Sequence, residues 1–156
     1  MTPEQVLALE PKILKQAQRE RYFEDGFLLV ERAISEEWLA KLRAATDELV
    51  ERSRRVTKSD TVFDLEPGHR PDAPRLRRVS NPVEQHPVFW DYCLNSVMAD
   101  IVADLVGPDV KFHHSKINAK LPGAGTEVKW HQDFPFTPHS NDDLVTALLA
   151  LDDVDE

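Results

Sequence analysis

The sequence predicts an α+β domain in which helices support a sheet or barrel. Three observations carry that expectation. Apolar residues recur at helical spacing through the first third of the chain. Proline, glycine and short β-like pieces take over from Val56 to Pro87. After a further helical stretch, closed by Gly107-Pro108, the apolar pattern turns to strands. Helices first and strands later is the order of an α+β fold, not of alternating βα units.

The first element opens at Thr2-Pro3-Glu4-Gln5, which has the form of a capping box with proline at the first helical position. Pro11 restarts the helix, which is expected to run to about Glu24 and to end at Asp25-Gly26. Phe27-Leu28-Leu29-Val30 is a short apolar run suited to a buried strand. Ser35 caps a second helix, with Glu36 and Glu37 placed to favour its dipole and Leu39, Leu42, Ala45 and Leu49 forming one apolar stripe. Short strands are expected at Thr61–Leu65 and Leu76–Val79. Val97, Ile101, Val102 and Leu105 share one side of the next helix, which Gly107-Pro108 stops. Strands are then expected over Val110–Leu121, Val128–Phe134 and Leu144–Leu151.

Composition narrows the function classes. A chain of 156 residues, 41% apolar and 30% charged, can bury a real core, and it shows no repeat, low-complexity stretch or linker; it reads as a single domain over 1–156. No apolar run approaches the ~20 residues that cross a bilayer, and the N-terminus lacks the pattern of a secretory leader. The single cysteine, Cys93, excludes an internal disulfide framework and fits a reducing, cytoplasmic setting. A net charge of −9, from 28 acidic against 19 basic residues, argues against nucleic acid as a partner, and no membrane partner is expected. The basic residues cluster at Arg52, Arg54, Arg55 and at Arg75, Arg77, Arg78. Solvated faces with salt bridges account for such clusters, as would a small anionic substrate.

The candidate chemistry centres on Trp130-His131-Gln132-Asp133-Phe134. Residues two apart on a strand point to the same face, so His131 and Asp133 project side by side. An imidazole and a carboxylate offered together are two thirds of the facial triad that holds non-haem iron(II) and leaves positions open for cosubstrate and oxygen. The structural alternative makes His131 a hydrogen-bonded strand histidine and Asp133 a turn former before Pro135. Upstream, alternation puts His114, Lys116, Asn118 and Lys120 on one face of a strand, with Ser115, Ile117 and Ala119 on the other. An imidazole, two ammonium groups and an amide are costly to bury unless an anion answers them; a face open to water is the alternative.

These segments resemble, in order, the phytanoyl-CoA dioxygenase family. Asp25–Val30 is similar to its opening strand, and the likeness continues through Phe63–Glu66, Leu76–Val79 and Leu105–Val110. It is strongest over His114–Lys120, Trp130–Phe134 and Leu144–Asp153. The resemblance implies a double-stranded β-helix, the cupin-like jelly roll, with N-terminal helices packed on one sheet. It implies iron(II) held by His131 and Asp133, 2-oxoglutarate as cosubstrate, dioxygen, and a small-molecule substrate hydroxylated at an unactivated C–H bond. Lys116 and Asn118 then face the cosubstrate, and His114 the substrate or cosubstrate. Leu148 and, less directly, Thr146 line the 2-oxoglutarate pocket. Trp130 is assigned to packing, and His113 and His139 to the surface or core. The resemblance places the family's third iron ligand, a histidine, and its 2-oxoglutarate-binding arginine in a later part of the chain with no counterpart here; His69, His86, His113, His114 and His139 lie at positions the family does not use for that ligand. The expectation is therefore a chain lacking the C-terminal half of the barrel and inactive by itself. A catalytically incompetent fragment and a non-enzymatic cupin-like binding domain are the rival readings. The oligomeric state and the particular substrate are not readable from these residues.

Overall fold

The computed structural model of the chain describes residues 1–123, 128–140 and 143–153. Its elements run, in order, as helix α1 (Pro3–Leu7), α2 (Gln16–Asp25) and α3 (Glu36–Ser53), strands β1 (Phe63–Leu65) and β2 (Leu76–Ser80), helices α4 (Pro82–Gln85), α5 (Pro87–Asn95) and α6 (Val97–Val106), and strand β3 (Lys116–Asn118). They divide into two compact units. One comprises Met1–Leu39, Asp91–Phe112 and Ser140–Glu156; the other comprises Ala40–Trp90 and His113–His139. No helix among the described residues is long and apolar enough to cross a membrane.

The first unit is organised around one carboxylate. The capping box at Thr2 forms as expected, with the Thr2 hydroxyl accepting from the Gln5 amide. The expected restart at Pro11 does not. Residues 12–14 donate their three amides to the Asp104 carboxylate, at 2.7–2.8 Å, so they are committed to a side chain and α2 begins only at Gln16. Arg19 of α2 is 1% exposed. It donates Nε to the Asp104 carbonyl at 2.9 Å, Nη1 to the Leu9 carbonyl at 3.0 Å, and Nη2 to the Val6 carbonyl. Leu14, Ile101 and Leu105 form a buried cluster beside this network, with Tyr22, Leu28, Val30 and Val145 packed against it. Gly26 ends α2 with φ of 77°, the left-handed conformation that glycine takes without strain. The expected buried strand over Phe27–Val30 is an irregular segment instead. Leu28 and Val30 pack inward while Phe27 and Leu29 stay exposed, and no neighbouring strand supplies a ladder among the described residues.

In the second unit α3 presents the apolar stripe that its spacing foretells, burying Leu42, Ala45 and Leu49. β1, β2 and β3 form a three-stranded antiparallel sheet in that order. The register pairs Phe63 with Val79 and Val79 with Ile117, which aligns one apolar face; Arg78 pairs with both Asp64 and Asn118, and Ser80 with Lys116, on the open face. Leu65 pairs with Leu76, so Arg77 is an extra residue in β2. That bulge explains why Leu76 and Val79, three apart, are both buried while Arg77 and Arg78 are both exposed.

Three strand expectations need correcting. Of Val110–Leu121 only Lys116–Asn118 is a strand, and neither Val128–Phe134 nor Leu144–Leu151 is one. Alternating apolar residues favour an extended chain, but a strand exists only where a partner completes its hydrogen bonds. The described residues supply one for 116–118 alone. The described residues show a small three-stranded sheet with helices, and a jelly roll is not formed among them. Of the acidic stretch Asp152–Glu156, residues 154–156 lie outside the described residues.

Burial pushes the Asp104 carboxyl upward, but the amides of Leu14, Lys12 and Ile13 and the Arg19 guanidinium together hold it below the ordinary aspartate value. A depressed native pKa stabilises the fold above the unfolded value of about 3.9 and ceases to as pH falls through the native one. Asp104→Ala should therefore lower unfolding free energy in urea at pH 7 by about 2–4 kcal/mol, since it orphans several partly buried amides. The difference between Asp104→Ala and the parent chain should shrink as the pH is taken below 4; a difference independent of pH would contradict this account.

Candidate metal and anion site

His131 and Asp133 leave an irregular segment on the same side. Nε2 of His131 lies 3.2 Å from Oδ1 of Asp133, and the two side chains are 42% and 44% exposed. The two side chains thus meet as expected of a strand, although no strand forms here. The structural alternative is present at the same residues. The Asp133 carbonyl accepts the amides of Phe136 and Thr137 and the Thr137 hydroxyl, so Asp133 does open a turn through Pro135. Its carboxylate oxygen Oδ1 faces the imidazole.

The other ring nitrogen settles what the pair can do. Nδ1 of His131 lies 2.7 Å from the Lys129 carbonyl, which can only accept, so Nδ1 carries the proton. In the neutral ring, Nε2 then offers a lone pair toward a carboxylate oxygen. Two acceptors at 3.2 Å repel unless a cation lies between them, either a proton making imidazolium or a metal ion. Two donors bonded at ~2.0–2.2 Å to one ion and at right angles to each other stand about 3 Å apart, close to the observed separation. The donor set therefore fits a divalent metal. Among the described residues no three histidine, cysteine, aspartate or glutamate side chains are grouped to hold one.

Lys116 and Asn118 share the open face of β3, as their alternation predicts, while half-buried Ile117 turns to the apolar face beside Val79. Lys116 is exposed, with no acidic side chain paired to it among the described residues, which is the water-facing alternative for this face. Asn118 is exposed too, but its Oδ1 accepts from Arg78 Nε at 3.3 Å. His114 lies outside the strand. Burial, then the charges of His113 and Lys116, lower its pKa from the ordinary value, while Asp133 pulls it the other way. Trp130, assigned to packing, is fully exposed, and its segment has no neighbouring strand among the described residues. Thr146 and Leu148 are exposed residues of an irregular segment in the other compact unit, Leu148 at 89%.

Two features escaped the sequence. Arg78 becomes visible only through the register that sets it across from Asn118. Of its neighbours, Arg77 is held by a bidentate pair with Asp64, and Arg52 bonds the Gln85 carbonyl and amide, so the clusters are mostly structural, as solvated faces with salt bridges require. The remaining histidines also divide. His69 is a structural link, its Nδ1 accepting the Arg75 amide while Nε2 meets the Ser53 carbonyl, and His86 accepts the Val88 amide. His113 packs edge-on against both His114 and His139, with ring centres 4.8 and 4.7 Å apart.

A sequence model described as phytanoyl-CoA dioxygenase (PhyH) matches residues 22–156. The chain is 30% identical over 89% of its length to a probable alpha-ketoglutarate-dependent hypophosphite dioxygenase of Stutzerimonas stutzeri, covering 48% of that protein. It is 25% identical over 98% of its length to the peroxisomal phytanoyl-CoA dioxygenase of Rattus norvegicus, covering 47% of it. It is 27% identical over 70% of its length to the ectoine dioxygenase of Sphingopyxis alaskensis, covering 34%. The chain thus spans about half the length or less of the curated relatives it matches. No solved structure matches it significantly.

The His131 contact is checkable directly. Long-range proton–nitrogen spectra of the metal-free chain should show the neutral His131 ring protonated at Nδ1, with Nε2 bare. A ring protonated at Nε2 would leave the wrong nitrogen facing Asp133.

Proposed function

The chain belongs to the phytanoyl-CoA dioxygenase family, and on that premise we propose that it carries two of the three iron ligands of a non-haem iron(II)- and 2-oxoglutarate-dependent dioxygenase. The substrate is a small molecule hydroxylated at an unactivated C–H bond. The observation that supports this most is the His131 Nε2–Asp133 Oδ1 pair, 3.2 Å apart with Nδ1 tied to a carbonyl. The coarser part, an oxygenase of this family, rests on the family match and on relatives that are themselves named dioxygenases. A third protein ligand is left to be supplied from outside the described residues.

When bound, iron(II) with 2-oxoglutarate and dioxygen supplies the oxidant, and decarboxylation of the cosubstrate to succinate accompanies hydroxylation. The chain's own residues bind and orient. Lys116 contributes a full positive charge to a carboxylate of 2-oxoglutarate, and Asn118 a hydrogen bond that fixes how it lies. Arg78, already bonded to the Asn118 amide oxygen, holds that side chain so that its NH2 group is presented to the ligand. His114 takes a place toward substrate or cosubstrate, and Thr146 and Leu148 line the cosubstrate pocket. The three-stranded sheet is read as part of the family's jelly roll, with its Lys116–Asn118–Arg78 face on the inside. Relatives named for hypophosphite, ectoine and 2-aminoethylphosphonate direct attention to small polar substrates. The free thiol of Cys93 suits work in the reducing cytoplasm.

Supplied with iron(II), ascorbate and 2-oxoglutarate, the 156-residue chain alone should release no succinate, since two protein ligands hold iron weakly. In a protein that also carries the third ligand, His131→Ala and Asp133→Ala should each remove metal binding and turnover together. Lys116→Met there should weaken 2-oxoglutarate by roughly tenfold or more, the loss of one charge-assisted hydrogen bond, without moving the melting temperature. Retention of iron by His131→Ala would sink the assignment.

A further inference from the structure

Three imidazoles that the proposed iron and cosubstrate contacts leave without a settled role are gathered beside the metal pair. His113 and His114 precede β3, and His139 follows the Asp133 turn. His113 makes edge contacts with both of the others. The Nδ1 atoms of His113 and His114 are 2.5 Å apart, so one of the two carries the proton between them. Nε2 of His139 is shut off from solvent and has no hydrogen-bond partner among the described residues, with the Phe134 ring 6.4 Å from its own. No three side chains among the described residues converge on a metal position, so this is not a second metal site.

The cluster is expensive as it stands. A shielded ring nitrogen without a partner forfeits a hydrogen bond. Burial disfavours the charged form of His114, and the charges of His113, Lys116 and His139 hold its pKa further below the ordinary value. Asp133 is the one acid whose charge acts the other way on His114, and in the proposed function it is committed to iron. A bound oxyanion would accept an N–H bond from the His139 ring, which now lacks a partner among the described residues, and would favour the charged form of the neighbouring imidazoles.

We propose that His113, His114 and His139 form a head-group subsite for an anionic substrate, a compact oxyanion group such as a phosphonate or a carboxylate, next to the His131–Asp133 pair. The proposal rests on the oxygenase reading only in calling that anion the substrate. In that reading the cosubstrate's carboxylates are answered by Lys116 and by the Asn118 amide that Arg78 orients, which leaves the imidazoles for the molecule to be oxidised.

The test uses the metal-free chain and two probes, methylphosphonate and acetate, followed through the imidazole resonances at neutral pH. At least one probe should shift His113, His114 and His139 saturably and leave His69 and His86 unmoved. Tighter methylphosphonate assigns a tetrahedral oxyanion, and tighter acetate a planar one. His139→Ala should weaken the preferred probe by roughly tenfold, the worth of one charge-assisted bond, whereas His139→Gln, which keeps a donor, should weaken it less. The absence of a saturable shift with either probe, or unchanged affinity in His139→Ala, would overturn the subsite. Manganese(II) binding to His131 and Asp133 is measured separately. Its failure alone would count against the iron assignment and leave the oxyanion subsite standing.

Discussion

Burying a carboxylate compels the chain around it to provide donors, and Asp104 shows how much follows from that. At 4% exposure it takes three successive amides with its oxygens and, through its carbonyl, the Nε of a guanidinium that is itself fully enclosed. Residues 12–14 cannot continue a helix while their amides are so engaged, α2 must start after them, and α1 is tied in by the carbonyls that Arg19 collects. A paired ionic network of this kind contributes little net stability over apolar packing, but it penalises every alternative arrangement that leaves one partner unanswered. It fixes where elements begin more than how strongly they hold.

In the other unit the equivalent constraint is the register of β2. A slip by one residue against β3 would turn Lys116 and Asn118 to the apolar face and Ile117 outward. The apolar Phe63–Val79–Ile117 row thus selects which side chains the open face can present, and those side chains are positioned by apolar packing on the opposite side. The His131–Asp133 pair depends on a different and weaker device, an irregular segment whose geometry is local.

Features set by neighbouring residues are legible in the sequence. The caps at Thr2, Ser35 and Gly26, the α3 stripe, the strands near 61–65 and 76–79, and the same-side projection of His131 and Asp133 each depend on neighbours within a few positions. What depends on distant partners was not legible. Trp130 and Leu148 look like strand residues by type, yet stand exposed because strands are made in pairs. Residues 12–14 look helical, yet their amides answer a carboxylate about ninety positions away. Arg78 is indistinguishable from Arg77 by composition, and His113 meets His139 across 26 positions with no pattern to announce it. Family likeness supplied the meaning of the His-x-Asp motif, whose spacing alone is common.

The extra residue in β2 has a bearing on how such a face can change over generations. With Arg77 left out, the order Leu76, Arg78, Val79 would already alternate in, out and in, so the hydrophobic repeat does not need the inserted residue. An insertion there is a change of charge without a change of core. It brings a second guanidinium to the open side, and Asp64 engages that newcomer through both oxygens while Arg78 keeps its amide partner. Lineages that gain or lose this single codon could retune the potential over the sheet by one charge while leaving every buried contact of the strand in place.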